Sequence, residues 1–244
     1  MNLQSRFWVL IFFFISGATG LIYEVVWTRL LTRVMGNTHY SIATVLTIFM
    51  AGLALGSYLG GRWIDRRKNA IIFYAALEGA IGLYCLLVPS IIESASPLFE
   101  WVYQTQTESY SKASLYRFFI CGVILLIPTS LMGATLPVLS KYVSHNRTFV
   151  GRDVGTLYSL NTFGAVFGAL SSAFIFMRMW GVLTTIWFAA ALNIGIAVTI
   201  YLLFRSDVSA TSKEEPDQIN ESMESSSLGD RKSTRLNSSH SEIS

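Results

Sequence analysis

Apolar residues occur along this chain in six long runs that are separated by short polar segments. The runs cover 7–31, 40–63, 70–92, 115–139, 154–177 and 183–204. Each contains the roughly twenty residues that a helix needs to cross about 30 Å of hydrocarbon. The pattern therefore predicts an all-α membrane protein, a polytopic bundle of six transmembrane helices.

The first run opens with FWVLIFFFI, which is also compatible with the apolar region of a signal peptide. A signal peptide would end at a cleavage site formed by small residues, and no such site is found here. The run instead continues through Leu21, Ile22 and Val26, well beyond the length of a signal peptide's apolar region. We therefore interpret it as a retained membrane span.

The composition agrees with a membrane location. Hydrophobic residues make up 52% of the 244 residues and charged residues only 14%, whereas soluble domains carry about 25% charged residues. The formal net charge is +3, but the basic residues lie at the ends of the apolar runs and form no continuous patch. We therefore expect the lipid bilayer as a partner and no nucleic acid.

The basic residues between the runs predict the orientation, because lysine and arginine are retained on the cytoplasmic side. If the N-terminus is cytoplasmic, nine of them lie inside, namely Arg6, Arg62, Arg66, Arg67, Lys68, Lys141, Arg147, Arg152 and Arg205. Five lie outside, namely Arg29, Arg33, Lys112, Arg117 and Arg178. The count favours both termini in the cytoplasm, although Arg29 and Arg33 oppose it.

Glycines recur at every fourth position in two of the runs. They are Gly52, Gly56 and Gly60 in the second run, and Gly164 and Gly168 in the fifth. On a helix this spacing places them on one face, where they allow another backbone to approach closely. We predict helix packing faces here, and their recurrence in spans two and five fits a repeat of three plus three helices.

Five polar residues within the spans are candidates for either a structural or a ligand-binding role: Glu24, Arg29, Glu78, Asn161 and Asn193. A charged group in hydrocarbon is costly unless it is paired or hydrated, so Glu78 is expected to face the bundle interior. Its predicted depth matches that of Asn161, which predicts a contact between the two. Asn193 is expected to form a hydrogen bond between helices.

Glu24 lies near the opposite membrane surface from Glu78, so the two cannot form a carboxylate pair. We expect Glu24 to lie in an outer layer with Arg29, Arg117 or Arg178. The cysteines Cys85 and Cys121 both fall within apolar runs, which favours packing over a disulfide or a metal site. The sequence predicts no catalytic residue, no metal site and no cofactor.

The composition changes after Arg205. Residues 206–229 are rich in Ser and Glu and contain no aromatic residue, which predicts a disordered linker after a membrane domain at 1–205. Residues 230–240, DRKSTRLNSSH, match codon by codon the translation of a short-read sequencing adapter. We therefore expect residues 230–244 not to be native, and we assign no function to them.

Three parts of the chain resemble one protein family. They are SGATGLIYEVVWTRLL (16–31), GLALGSYLGGRWIDRR (52–67), and MGATLPVL with GRDVGTLYSLNTFGAVFGAL (132–139 and 151–170). Together they resemble the membrane half of the fused major-facilitator-like/spermidine synthase proteins, with Glu24, Arg29, Pro137 and Asn161 in the family's order.

The resemblance implies a membrane domain similar to half of a major facilitator, in a bacterial inner membrane. In the family a cytosolic aminopropyltransferase-like domain follows, with a methyltransferase-type Rossmann sheet that serves polyamine biosynthesis. The glycine-rich turn that such a sheet uses to bind its substrate does not occur in this sequence. We therefore interpret the chain as a fragment that lacks its enzyme domain.

Three hypotheses are compatible with these observations. In the first, this is a membrane-anchoring or substrate-channelling domain of a spermidine synthase-like transferase. In the second, it is a half-size transporter of a small cationic or amphipathic solute, acting alone or as a homo-oligomer. In the third, it is a structural membrane scaffold.

Overall fold

A computed structural model describes residues 3–35, 38–65, 69–105, 110–144 and 150–204. Every element in these ranges is helical, and they contain no strand. The helices are α1 (Leu3–Met35), α2 (Thr38–Ile64), α3 (Ala70–Ser94), α4 (Ser96–Thr105), α5 (Tyr110–Val143) and α6 (Val150–Ser171). A π-helical turn, Ser172–Phe176, follows α6, and helix continues over 177–204, which we call α7.

Within the described ranges, five helical stretches are long and apolar enough to cross a membrane: Arg6–Met35, His39–Ile64, Ala70–Thr105, Lys112–Val143 and Val150–Phe204. The prediction of an all-α fold is confirmed for the described residues, and several of its helices have the length and apolar character that a membrane span requires. The last stretch contains both the fifth and the sixth predicted spans. The polar segment 93–114, with its interleaved aromatic residues, predicts an external loop that can include a short surface helix. Helix α4 and the first turn of α5 lie in this segment.

The compact unit comprises Met1–Tyr201, and a second unit begins at Leu202. The predicted linker at 206–229 and residues 230–244, which the sequence predicts not to be native, lie outside the described residues. So do five of the nine basic residues expected on the cytoplasmic side: Arg66, Arg67, Lys68, Arg147 and Arg205. The orientation therefore remains a prediction.

Helix α2 packs along α5 through its three spaced glycines. A Cβ atom at Gly56 would lie 1.8 Å from the backbone oxygen of Ser130, and one at Gly52 would lie 1.9 Å from Oγ1 of Thr129. Across the same seam, a Cβ atom at Gly133 of α5 would lie 2.3 Å from the backbone oxygen of Leu53. The two backbones are therefore too close for any side chain at these positions.

Helix α1 packs along α6 in the same way. Cβ atoms at Gly164 and Gly168 would lie 2.0 and 2.1 Å from the backbone oxygens of Phe14 and Ala18. Gly17 of α1 faces the backbone of α6 at a similarly short distance. Because lipid provides no hydrophobic force between helices, these close contacts supply van der Waals attraction that holds the pairs together.

Helix α5 contains Pro128 and Pro137 and remains helical through both. Proline lacks an N–H group, so Pro128 leaves the carbonyl of Ile124, four residues earlier, without its helical partner. The hydroxyl of Tyr84 on α3 donates a hydrogen bond to that carbonyl at 3.0 Å. A side chain from a neighbouring helix thus satisfies the acceptor that Pro128 leaves free.

Polar contacts also join the ends of the packed helices. Arg6 of α1 forms an ion pair with Asp153 of α6. The ammonium group of Lys141 on α5 donates a hydrogen bond to the carbonyl of Ile64, the last residue of α2. This carbonyl lacks a partner within its own helix, and a cation at a helix C-terminus also interacts favourably with the helix dipole.

The chain reverses direction within the helical stretch 150–204. The ring of Phe188 lies 5.4 Å from those of Phe176 and Trp180, centroid to centroid. In a straight helix, Phe188 would lie about 18 Å along the axis from Phe176. Gly181 lies between these residues and has a φ of 81°, a left-handed conformation that interrupts the right-handed helix. Helix α7 therefore consists of a short first part, 177–180, and a long second part, 182–204, which contains Asn193.

We expect Gly181→Ala to destabilise the protein by about 1 kcal/mol, because an L-residue is strained at positive φ. Gly195→Ala is the control, since Gly195 is helical and a Cβ atom added there would have no neighbour within 4 Å. This change should be neutral or slightly stabilising. Denaturant titration of the two purified variants in detergent measures the free energy of unfolding of each. If Gly181→Ala were as stable as Gly195→Ala, the reversal would not be at Gly181.

Candidate functional site: a cavity beside Glu78

Glu78 lies in the middle of α3 and is fully buried. The Ser16 hydroxyl of α1 donates a hydrogen bond to its Oε1 atom at 2.6 Å. The Asn193 amide of α7 donates one to its Oε2 atom at 2.5 Å. Each oxygen of the carboxyl group therefore has a donor from a different helix, as a buried polar group requires.

The network continues on both sides of the carboxyl group. The Tyr23 hydroxyl donates to Oδ1 of Asn193 at 3.1 Å, so the amide of Asn193 uses both its donor and its acceptor. The hydroxyl of Tyr74, one helical turn before Glu78, is buried near Glu78 and Ser16 but has hydrogen-bond geometry to neither. Three helices are thus joined by one polar cluster within an otherwise apolar bundle.

A cavity of about 340 Å³ lies next to this cluster. Apolar and small residues from α1, α2, α3 and α5 form most of its wall, including Phe13, Phe49, Ile81 and Met132. The polar residues on its wall are Ser16, Thr19, Ser57, Thr135, Tyr158, Asn161 and Asn193. A mainly apolar cavity with a few converging polar groups is the usual form of a small-molecule site.

Glu78 itself is not on the cavity wall, but two of its hydrogen-bond partners are. Ser16 and Asn193 separate the carboxyl group from the cavity. A ligand with a cationic or hydrogen-bond-donating end could therefore bind these two residues and lie close to the carboxyl group behind them.

The predicted contact between Glu78 and Asn161 is wrong. The carboxyl group binds Asn193 instead, and Asn161 packs against α1, with its backbone oxygen 2.2 Å from where a Cβ atom of Gly17 would lie. Both asparagines still line the same cavity.

The predicted outer layer around Glu24 also differs. Glu24 is half-buried and forms no ion pair with any arginine of the described segments. Arg117 is buried and donates a hydrogen bond to the carbonyl of Met35 at the end of α1, at 3.1 Å. Arg29 is exposed and lines a second cavity, together with Arg178.

Sequence reasoning missed Ser16, Tyr23 and Tyr74. Neutral polar residues are common in membrane helices, so their presence alone is a weak signal. Ser16 and Tyr23 are seven residues apart and therefore lie on the same face of α1. Tyr74 and Glu78 are likewise on one face of α3. This spacing is the signal from which the cluster could have been found.

The fold and the cavity together define an all-helical protein with several helices long and apolar enough to cross a membrane, and with a buried carboxyl group beside a potential ligand site. The sequence matches no known family model, and no solved structure matches it. It is similar to proteins named polyamine aminopropyltransferase. Polyamine aminopropyltransferase 1 of Streptomyces coelicolor is 24% identical over 204 residues, which cover 82% of this chain and 35% of that protein.

Two further relatives carry the same name. Polyamine aminopropyltransferase 2 of Streptomyces coelicolor is 26% identical over 213 residues, covering 86% of this chain and 36% of the relative. The polyamine aminopropyltransferase of Oceanobacillus iheyensis is 19% identical over 189 residues, covering 78% and 34%. The chain thus spans about a third of the length of the curated relatives it matches.

Proposed function

We propose that this chain is the membrane domain of a polyamine aminopropyltransferase-like protein, where it anchors an enzyme domain or supplies it with substrate. The similarity to three relatives of that name carries the proposal. It extends over about four fifths of this chain but only about a third of each relative. The part of each relative that this chain does not match is long enough to contain a separate catalytic domain. The long apolar helices of this chain are of the kind that a membrane domain requires.

We further infer six membrane crossings. The reversal at Gly181 divides the stretch Val150–Phe204 into two antiparallel arms, each long enough to span the bilayer. The glycine-mediated contacts then join span two to span four and span five to span one. If spans one, two and three are matched with spans four, five and six, the contact between spans two and four corresponds to the contact between spans five and one. A repeat of three plus three helices requires this correspondence. This arrangement supports the resemblance to half of a major facilitator.

A second candidate function is transport of a small cationic or amphipathic solute. The cavity beside Glu78 favours it, because transporters with such repeats bind substrate between the repeats and near the midplane. A membrane-embedded carboxyl group is often functional when it lies beside a cavity. The same cavity would also serve a domain that delivers a polyamine to an enzyme, so the two candidates share a site.

The intact reading frame of the gene beyond Gly229 tests the first proposal. We expect it to continue into an aminopropyltransferase-like domain with a glycine-rich turn between a strand and a helix. A frame that stops within a few codons of Gly229 would leave the membrane domain without an enzyme to anchor. The transport hypothesis would then be the better one.

A further inference from the structure

Three arginines surround a second cavity, which has a volume of about 470 Å³ and lies between α1 and the start of α7. Arg29 and Arg33 come from α1, and Arg178 follows the π-helical turn. All three side chains are exposed. In the described part of the chain, none of them forms an ion pair or a side-chain hydrogen bond.

This arrangement is unfavourable without a counter-charge. Arg29 and Arg33 are four residues apart on a helix, so their like charges repel one another across the same face. Arg178 adds a third positive charge to the same cavity wall. A bound anion would turn this repulsion into attraction.

The π-helical turn sets the position of Arg178. The N–H group of Met177 bonds to the carbonyl of Ser172, five residues earlier, so the turn holds one residue more than an α-helical turn. Without that extra residue, position 178 would be rotated by about 100° around the helix. The turn therefore determines which helix face carries the third arginine, and π-helical turns occur frequently at functional sites.

The rest of the wall is suited to a lipid-like or phosphorylated ligand. Thr32 offers a hydroxyl group, and Ala173, Met177 and Val182 are apolar. Guanidinium groups bind phosphate oxygens through two parallel hydrogen bonds, which makes arginine the preferred residue for such anions. The cavity lies at the C-terminal end of α1, with Arg33 in the last turn of the helix. The end of a helix that crosses the bilayer is expected at the level of the lipid phosphates.

We propose that Arg29, Arg33 and Arg178 form a binding site for a phosphate group, carried either by an anionic lipid headgroup or by a free phosphate. Such a site would explain why Arg29 and Arg33 lie on the side that is predicted to be outside the cytoplasm, although lysine and arginine are usually retained on the cytoplasmic side. It is independent of the aminopropyltransferase proposal, since neither the cavity beside Glu78 nor an enzyme domain contributes to it.

The test compares lipid retention by the full chain in native mass spectrometry. The probes are phosphatidylglycerol and a galactosyl diacylglycerol with the same acyl chains, which has neither phosphate nor charge. Arg178→Gln and Arg33→Gln are the test variants. Lys112→Gln is the matched control, because Lys112 is an exposed cation near the same end of the bundle but does not line the cavity.

We expect wild type and Lys112→Gln to retain phosphatidylglycerol in preference to the galactolipid. Each arginine variant should bind it about tenfold more weakly, the effect of losing one charge-assisted hydrogen-bonded contact. A second arm compares thermal unfolding in inorganic phosphate and in chloride at equal ionic strength. Stabilisation by phosphate in the wild type but not in Arg178→Gln, without any lipid preference, would assign the site to free phosphate.

A preference for phosphatidylglycerol over the galactolipid that is equally strong in the wild type and both arginine variants would overturn the proposal. So would the absence of both lipid preference and phosphate stabilisation in the wild type. Gel filtration of each variant verifies its fold, and because Arg33 and Arg178 lie on different helices, either variant alone is sufficient for the comparison.

Discussion

Gly56→Ala is expected to destabilise the helix bundle by about 3 kcal/mol, the upper end of the usual cost of overpacking. The added methyl group would lie 1.8 Å from the backbone oxygen of Ser130, a rigid atom that cannot rotate away. Helices α2 and α5 would have to separate, and the close contacts along the whole seam would weaken. Gly56→Leu should prevent stable folding in membranes.

Gly195→Ala is again the matched control, because it adds the same methyl group to a membrane helix where nothing lies within 4 Å. Stability is measured as the fraction folded during titration of the detergent-solubilised protein with a denaturing detergent. If Gly56→Ala unfolded at the same point as Gly195→Ala, the seam between α2 and α5 would not be closely packed. A second test position is Gly168, on the seam between α1 and α6, where a Cβ atom would lie 2.1 Å from the backbone oxygen of Ala18.

Glu78→Leu is expected to cost about 3 kcal/mol, because it leaves the hydroxyl of Ser16 and the amide of Asn193 buried without their acceptor. Glu78→Gln should cost about 1 kcal/mol or less. Its amide has the same shape, its oxygen can still accept a hydrogen bond, and the hydroxyl of Ser16 can reverse its role and accept one. Denaturant titration of both variants compares the two costs.

The same pair of variants separates the structural from the transport role of Glu78. The amide of Glu78→Gln cannot carry a negative charge, so it cannot balance a bound cation. Polyamine flux into vesicles reconstituted with the intact parent protein is the measurement. Flux in the wild type that Glu78→Gln abolishes would favour transport, whereas equal flux in both would exclude a charge-balancing role. A folded Glu78→Leu variant as stable as the wild type would contradict the structural account as well.

The membrane class of the fold could be predicted from the sequence because it depends on length and hydropathy alone. Runs of about twenty apolar residues leave few alternatives to transmembrane helices. The helix ends were less predictable. Helix α1, Leu3–Met35, is longer than the apolar run at 7–31, because polar residues at both ends of the run continue the helix. Helix α4 agrees with the short surface helix that the sequence allows in the segment 93–114, since its ten residues are too few to cross the bilayer.

The pairing of helices could not be predicted from one sequence. The spacing of Gly52, Gly56 and Gly60 predicts a packing face but does not specify the helix it faces. The partner positions in α5, Thr129 and Ser130, have no distinctive pattern. The prediction that Glu78 contacts Asn161 was wrong for the same reason. Asn161 and Asn193 have the same side chain, and only the arrangement of α6 and α7 determines which of them reaches Glu78.

Aminopropyl transfer by the intact gene product, assayed in washed membranes and in the soluble fraction, tests the central proposal most directly. If this chain is the membrane domain of an aminopropyltransferase-like protein, transfer of an aminopropyl group to a polyamine acceptor should sediment with the membranes. Deletion of residues 1–205 should move the transferase protein to the soluble fraction. Membranes that contain the intact product but show no transfer, or a transferase that is soluble with residues 1–205 in place, would contradict the proposal.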